Sequence, residues 1–507
     1  MLRLCRGNGT AYPPLRDDNI ACRWYTAPRQ RSREPAVLAD RRPRGLGDRL
    51  FVTRARIRDQ LIVIPRYLVI MTTGALPQST HVLIVGGGPA GTSTAWHCAQ
   101  AGLDVVLLDR AHFPRPKPCA EYVSPEGARL LSAMGALETL EARAAALTGM
   151  VVTAPSGAQI RGEFVAQHGF RGFRDRGLGI RREILDTVLV ERARVAGVQV
   201  VEGAKVDDLT RDAAGRICGV RVRTEVGVTE VSASIVIGAD GLRSVVARRA
   251  GLAHTSRWPK RVAVVAHYRG VSGMTSLGEM HVTHNGYVGL ATVDDQLTNV
   301  ALVVSAHRAR EMAGDPEAFL RHWLESQPTL APRFRAAHRV SPVRTTGPFA
   351  SRARRAWNPG LALVGDAADF YDPFTGEGIY AALRGGELLA PFVVDALHAT
   401  SSSAEARALG AYERARRESF AGKWRVEKLI GLGVAAPALM NAAAHVLGDD
   451  RALSDLLIGV TGDFVPASAL LAPRALGRLA LGLARGAVSP WFSRPTPPHA
   501  PSHVHRS

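Results

Sequence analysis

Residues 81–91 read HVLIVGGGPAG, an apolar run followed by glycines at 86, 88 and 91 in GxGxxG spacing. An apolar run closed by glycine is the pattern of a buried parallel strand. Pro89 then suits the first turn of a helix. A second apolar run, Asp104–Asp109 (DVVLLD), follows one helix length later. Together these pieces predict the first βαβ half of a doubly wound sheet. Gly86 permits the tight turn, Gly88 lets backbone approach a pyrophosphate, and Gly91 allows close helix–strand packing. Pro89 and Ala90 open the helix whose positive end faces the phosphates. Asp109 stands eighteen residues beyond Gly91, at the end of the second strand, where a carboxylate accepts ribose hydroxyls. Arg110 beside it joins the candidate cofactor-binding residues.

The remaining composition narrows the class. A chain of 507 residues, 46% apolar, has material for two joined domains plus extensions. The net charge of +19 is uneven: residues 1–70 hold fifteen Arg, no Lys and six acids, or +9, leaving +10 for the rest. The later basic residues are scattered, with no stripe interleaved with aromatics, so no nucleic-acid partner is expected. Cys5, Cys22, Cys98, Cys119 and Cys218 form no CxxC, which suits a reducing compartment and a cytoplasmic location. No metal-ligand cluster is expected, because His281 and His284 lack a third ligand at a sensible spacing. Residues 1–70 lack the apolar segment of a signal peptide, and Met71 begins MTTGALPQSTHVLIVGGG, which reads as an ordinary start before a first strand. Residues 1–74 are therefore expected to be disordered or an upstream extension.

Further along, Ser124 is placed to cap a helix begun by Pro125, and Arg182–Ala196 is amphipathic at helical spacing. Lys205–Ser234 reads as a meander turning at Gly215. Ser234–Gly241 (SIVIGADG) reads as a new buried strand running into a helix from Arg243. Residues 262–305 are strand-like, with Asn285–Val304 resembling a hairpin. Leu361–Asp369 is one more buried strand, and 378–428 is helical.

Two of these strand ends carry acids. IVIGADGLRSVVAR places Asp240-Gly241 after a buried strand, and LALVGDAADFYDPFTGEGI places Asp366 before a glycine-rich helix start. With the GxGxxG, the order and wide separation of these motifs resemble the FAD-dependent family of para-hydroxybenzoate hydroxylase, geranylgeranyl reductase and flavin halogenases, over about residues 75–400. The resemblance implies FAD as cofactor and NAD(P)H as transient reductant. It implies that Asp366 holds the ribityl chain, that Arg182 contacts flavin or pyrophosphate, and that Asp240-Gly241 brace the diphosphate region. A reduced flavin carries negative charge around N1 and O2, which the N–H groups of Thr375 to Gly378 would stabilise at a helix N-terminus. Side chains must be absent there, hence Gly376 and Gly378, with Pro373 near the ring. Glu377 is expected to point away or pair with an Arg. In Phe113–Gly127, Lys117, Cys119 and Glu121 match the K-x-C-G-E of the geranylgeranyl reductase branch, with Ala120 for Gly. Cys119, Pro373 and Gly376 are thus the catalytic candidates.

The fold implied is α/β: a Rossmann-like FAD-binding domain interleaved with a smaller sheet-based substrate domain, plus C-terminal helices. The boundaries expected are 75–180 and 181–251 for FAD-binding pieces, the first carrying the start of the substrate domain. Residues 252–350 form the substrate sheet, 351–400 the last FAD-binding piece, 401–490 the helical region and 491–507 a disordered tail. The reductases carry Y-x-W-x-F-P in the substrate sheet and the halogenases W-x-W-x-I-P. NGYVGLATVDD keeps only Tyr287, which counts against halogenation and weakens prenyl reduction. Glu279, His281 and Thr283 alternate along the preceding strand and are expected on a solvated face. The first reading is therefore an NAD(P)H-dependent monooxygenase that hydroxylates or epoxidises an apolar or aromatic small molecule through a flavin C4a-peroxide. Saturation of isoprenoid double bonds is the alternative, and a non-catalytic flavin-binding partner protein is the third reading. Leu429–Gly448 is uncharged for twenty residues, but Pro437, Asn441 and His445 make it a poor membrane span. Peripheral membrane contact through it and Ala469–Gly486 stands beside a helical cap over the domains.

Overall fold

The computed structural model describes residues 76–166, 169–255, 260–294 and 296–488. The expected extension at 1–74 and the tail at 491–507 lie outside the described residues. The apolar runs read from the sequence form one sheet. Its order is Trp357–Asn358, Leu361–Leu363, Val228–Gly238, Ser79–Val85, Val105–Leu108, Gln199–Val201. The last five strands run parallel, and Val105–Leu108 is buried at every position, as a sheet covered on both faces requires. Helix Pro89–Gln100 covers one face and crosses helix Gly378–Leu397 closely. A Cβ on Gly386 would stand 2.6 Å from the Thr94 backbone nitrogen, and the Ser93 hydroxyl donates to Leu383 O at 2.7 Å.

One strand differs from expectation. Val228–Gly238 is a single strand rather than the end of a meander followed by a new one. Its first half pairs antiparallel with Ile217–Arg223, and its second half pairs parallel with Ser79–Val85. Nothing in VTEVSASIVIG breaks the backbone. The burial pattern alone changes, from alternating to continuous, where the strand enters the covered sheet.

The second large sheet has the order His338–Arg339, Arg261–Arg269, Leu297–Ser305, Gly286–Asp294, Leu277–Thr283, Gly149–Thr153, Gln159–Glu163. The predicted hairpin is its Gly286–Asp294/Leu297–Ser305 pair. Alternation sends Ala263, Val265, Met280 and Val303 to one face. Val264, Leu290 and Leu302 go to the other, packing against Phe319, Leu320 and Trp323 of helix Pro316–Glu325. Glu279 therefore does not lie on a solvated face. It is buried, and its carboxylate accepts from Arg333 Nη2 at 2.9 Å and sits 2.7 Å from His281 Nε2. The helices at 309–334 cover that face, and strand alternation alone cannot reveal such a cover.

The C-terminal helices close the other side. Helix Arg451–Thr461 lies on strand Gln159–Glu163, with Ile458 Cγ1 only 2.6 Å from where a Gly162 Cβ would be. The uncharged stretch is divided between helices Ser402–Ala435 and Pro437–Asp449, which meet at 116°. Among the described residues no single helix is long and apolar enough to cross a membrane.

Gly91 tests the packing at the sheet's end. Its missing Cβ would lie 1.8 Å from Gly86 O. Gly91→Ala is expected to lower unfolding stability by roughly 3 kcal/mol, read as the urea midpoint. Gly314→Ala, where nothing lies within 4 Å, leaves the midpoint unchanged or raised.

Candidate active site

The glycine turn is built by close approach. Gly86 sits at φ +110°, and a Cβ there would meet Ala239 O at 2.5 Å, so the turn packs directly on the end of strand Val228–Gly238. Asp109 holds the turn: its Oδ2 accepts from Gly87 N–H at 2.7 Å, and its Oδ1 from Ala111 N–H at 2.9 Å. Arg182 is buried and donates to both oxygens of Asp186, at 2.8 and 2.7 Å. Arg115 reaches the same Asp186 at 3.1 Å. Both guanidiniums stand beside Gly88, 3.8 and 3.9 Å from where its Cβ would be. Burial works against the Arg182 charge, but Asp186 beside it holds the group above the ordinary guanidinium range. Lys117 faces this pair, its Nζ 3.5 Å from the absent Cβ of Gly241. Burial and the Arg182 charge lower its pKa, partly offset by Asp366. Two guanidiniums at the helix N-terminus by Gly88, with Lys117 at Gly241, thus border bare backbone, a donor set that fits an anionic diphosphate.

A cleft of about 1160 Å³, including its mouth, runs from this turn to helix Gly378–Leu397. Asp366 faces it. Burial raises the Asp366 pKa, while Lys117 and Arg182 pull it back. The turn Pro373–Thr375 follows and ends at Gly376, φ +72°, where a Cβ would press on Tyr122 Cδ1 at 2.9 Å. Gly376 N–H donates to Pro373 O at 3.0 Å, so the cleft gains its missing side chain rather than its amide. The amides without intrahelical partners are those of the first turn from Gly378. Asp372 anchors the segment, accepting from Tyr287 Oη at 2.6 Å, Arg261 Nη1 at 2.6 Å and Phe374 N–H at 3.1 Å. Glu377 turns away from the cleft and pairs with Lys423 at 2.9 Å, a Lys rather than the expected Arg.

The sequence candidates separate into three groups. Gly88, Pro89, Ala90, Cys119, Arg182, Gly241, Asp366, Pro373, Gly376 and Gly378 all line the one cleft. Gly86, Gly91, Asp109 and buried Thr375 shape its wall from behind. Two others stand apart. Asp240 Oδ2 accepts from Val245 and Val246 N–H at 2.6 and 3.2 Å, bracing the short helix Val245–Arg249, while its Oδ1 is buried without a partner. Arg110 is exposed on a shallow groove with Arg248 and Arg249.

Sequence reading missed the support of the Cys119 loop. Glu121 holds a left-handed φ of 59° and is buried. Its Oε1 accepts from Arg182 N–H at 2.9 Å; its Oε2 accepts from Asn299 Nδ2 at 2.8 Å and lies 2.7 Å from His267 Nε2. Asn299 also donates to Cys119 O at 2.9 Å. Only Glu121 carried a signal, through the K-x-C-x-E match. Asp186 was legible in principle, four residues after Arg182 on one helical face. Behind Asp366 and Gly378 lies a second cavity, walled by Asp369, Asp372, Glu377, Arg416, Lys423 and Glu427. Burial pushes the Glu427 carboxyl up to about 8 against the pull of Lys423, with Asp369, Asp372 and Asp463 adding to the rise.

The FAD binding domain family matches residues 79–423. Digeranylgeranylglycerophospholipid reductase 2 of Methanopyrus kandleri is 31% identical over 334 residues, covering 64% of this chain and 79% of the relative. Solved structures share the fold. A geranylgeranyl bacteriochlorophyll reductase-like protein from Thermoplasma acidophilum has TM-score 0.61 and 21% identity, over 82% of this chain and 98% of that one. The p-nitrophenol 4-monooxygenase of Pseudomonas putida has TM-score 0.64 and 20% identity, over 76% and 98%.

Two measurements probe this geometry. Asp366→Ala is expected to strip FAD, read as the loss of flavin absorbance on gel filtration; full retention overturns its placement at the cofactor. A carboxyl such as Glu427, raised when folded, binds its proton more tightly folded than unfolded. Stability should therefore fall as pH rises from the ordinary carboxylate range to about 8, then level off. Glu427→Gln should flatten that fall in Tm, and an unchanged slope overturns the assignment. With the glycine turn, the converging cations and the match over residues 79–423, the chain belongs to the FAD binding domain family of flavin-dependent oxidoreductases.

Proposed function

We propose that the protein is a flavin-dependent reductase that saturates carbon–carbon double bonds in an isoprenoid-type chain. One observation carries this reading. Beside Tyr287, whose hydroxyl is committed to Asp372, and Thr346, the cleft wall facing the cofactor cradle is made by Ala263, Val265, Met280, Ala301, Val303 and Phe349. These side chains are apolar and mostly small. A phenol or carboxylate needs a polar partner at such a wall, whereas a hydrocarbon chain needs none. The name of the Methanopyrus kandleri relative, a digeranylgeranylglycerophospholipid reductase, supports the same class.

When bound and reduced by NAD(P)H, FAD supplies a hydride. The chain's own residues do the rest. Lys117, Arg115 and Arg182 offset phosphate charge at the glycine turn, and Asp366 offers a carboxylate to cofactor hydroxyls. The first-turn amides of helix Gly378–Leu397 favour negative charge beside them. The apolar wall keeps water from the reacting atoms. Saturating a double bond adds one hydride and one proton. The Cys119 thiol lies on the cleft beside Arg182, placed to hold that proton at Sγ.

Oxygen insertion into an apolar or aromatic molecule is the second reading. Strand Gly286–Asp294 favours it, because it keeps Tyr287 without the Trp and Phe-Pro that geranylgeranyl reductases carry. Mass spectrometry separates the two. FAD-loaded protein with NAD(P)H or dithionite and a polyprenyl substrate is expected to add two mass units per double bond without oxygen. A gain of sixteen that requires oxygen supports the second reading, and no gain under either condition overturns both. Cys119→Ser is expected to bind FAD normally and turn over roughly a hundredfold more slowly, with KM little changed. Full turnover removes the thiol from the reaction.

A further inference from the structure

We infer that the elbow between helices Ser402–Ala435 and Pro437–Asp449 is a docking surface for an anionic lipid bilayer. The two helices meet at 116°, within the uncharged stretch Leu429–Gly448. The inner side of the elbow is committed to the protein core: Val426, Val434 and Met440 are buried there. Its outer side is not. Leu429, Leu432 and Leu439 are 52%, 49% and 46% exposed, so three large apolar side chains cluster at one bend. Soluble surfaces scatter such residues singly, and a group on a rigid support marks an interface.

The charge around the elbow selects the partner. Arg425 and Lys428, just before the apolar tip, are both exposed. The acid of the same turn, Glu427, faces inward to the second cavity beside Lys423 and Asp369. The tip therefore presents leucines with a cationic collar, the combination that dips into a headgroup layer and is drawn to anionic lipid. A two-fold contact with a second copy would set the same cations around one shared apolar centre, where they repel. The bend and the exposed arginine and lysine make the elbow a surface that lies on a bilayer rather than one that crosses it. This inference does not depend on which substrate the cleft accepts.

The test uses full-length, FAD-loaded protein and vesicles of equal parts phosphatidylcholine and phosphatidylglycerol. Co-sedimentation is expected at low salt, weaker with phosphatidylcholine alone and weaker at high salt. The double variant Leu429→Glu/Leu432→Glu should lower partitioning by about tenfold or more, with flavin absorbance and Tm unchanged. Arg425→Gln/Lys428→Gln should reduce binding to the anionic vesicles and leave binding to phosphatidylcholine as it was. It serves as the deciding variant if the glutamates disturb folding. The proposal is overturned if the parent protein binds neither vesicle, or if the folded glutamate variant sediments like the parent. It is equally overturned if light scattering shows a dimer that the glutamates split into monomers.

Discussion

Backbone touching backbone is the constraint on which this structure rests. At the cofactor end of the central sheet, a helix, a turn and a second strand meet with no side chain between them. Gly91 lets helix Pro89–Gln100 sit on Gly86 O, and Gly86 lets the turn sit on Ala239 O. Gly365 repeats the device at the third strand end, where a Cβ would stand 2.7 Å from Ala90 Cβ. Three segments far apart in sequence can then present their ends to one small volume. Dispersion and burial hold the strands together, but missing methyl groups set how near the ends come.

Charge is arranged around that contact so that little of it stands unopposed. Arg182 and Arg115 share Asp186, Arg115 also approaches Asp109, and Lys117 answers Asp366. Buried charges are tolerated when paired and hydrogen-bonded, and here the carboxylates keep three cations in place at an otherwise apolar cleft. The Cys119 loop is fastened by the same logic. A left-handed Glu121 is a costly conformation for a residue with a Cβ, and Arg182 N–H, Asn299 and His267 all bear on its carboxylate.

Much of this was legible in the sequence, and what was not has identifiable causes. Continuous apolar runs such as VLIV and VVLL announced covered strands, and of the acids at strand ends Asp366 lines the cleft while Asp109 fastens the glycine turn behind it. The limits appear where a residue's fate is decided by something distant. Glu279 reads as outward on its strand, yet the helices at 309–334 cover it and Arg333 pairs with it. Asn299 and His267 carry no spacing that ties them to Glu121; only the sheet brings them there. Asp240 matched its motif, but one of its oxygens accepts from the amides of Val245 and Val246 on the short helix that follows. Substrate preference depends on the apolar face of the second sheet, where the sequence offers alternation and no recognisable anchor.

The family match ends at residue 423, but the hydrophobic interior does not. Met150, Val152 and Ile160 of the second sheet share one cluster with Val434, Ala444, Leu447, Leu453 and Ile458 of the C-terminal helices, and Tyr287 and Val303 belong to the same cluster. The helices after 423 are therefore not a detachable appendage. A fragment cut at the family boundary would bare the underside of the sheet whose other residues wall the cleft, so the minimal autonomous enzyme is larger than its recognisable signature.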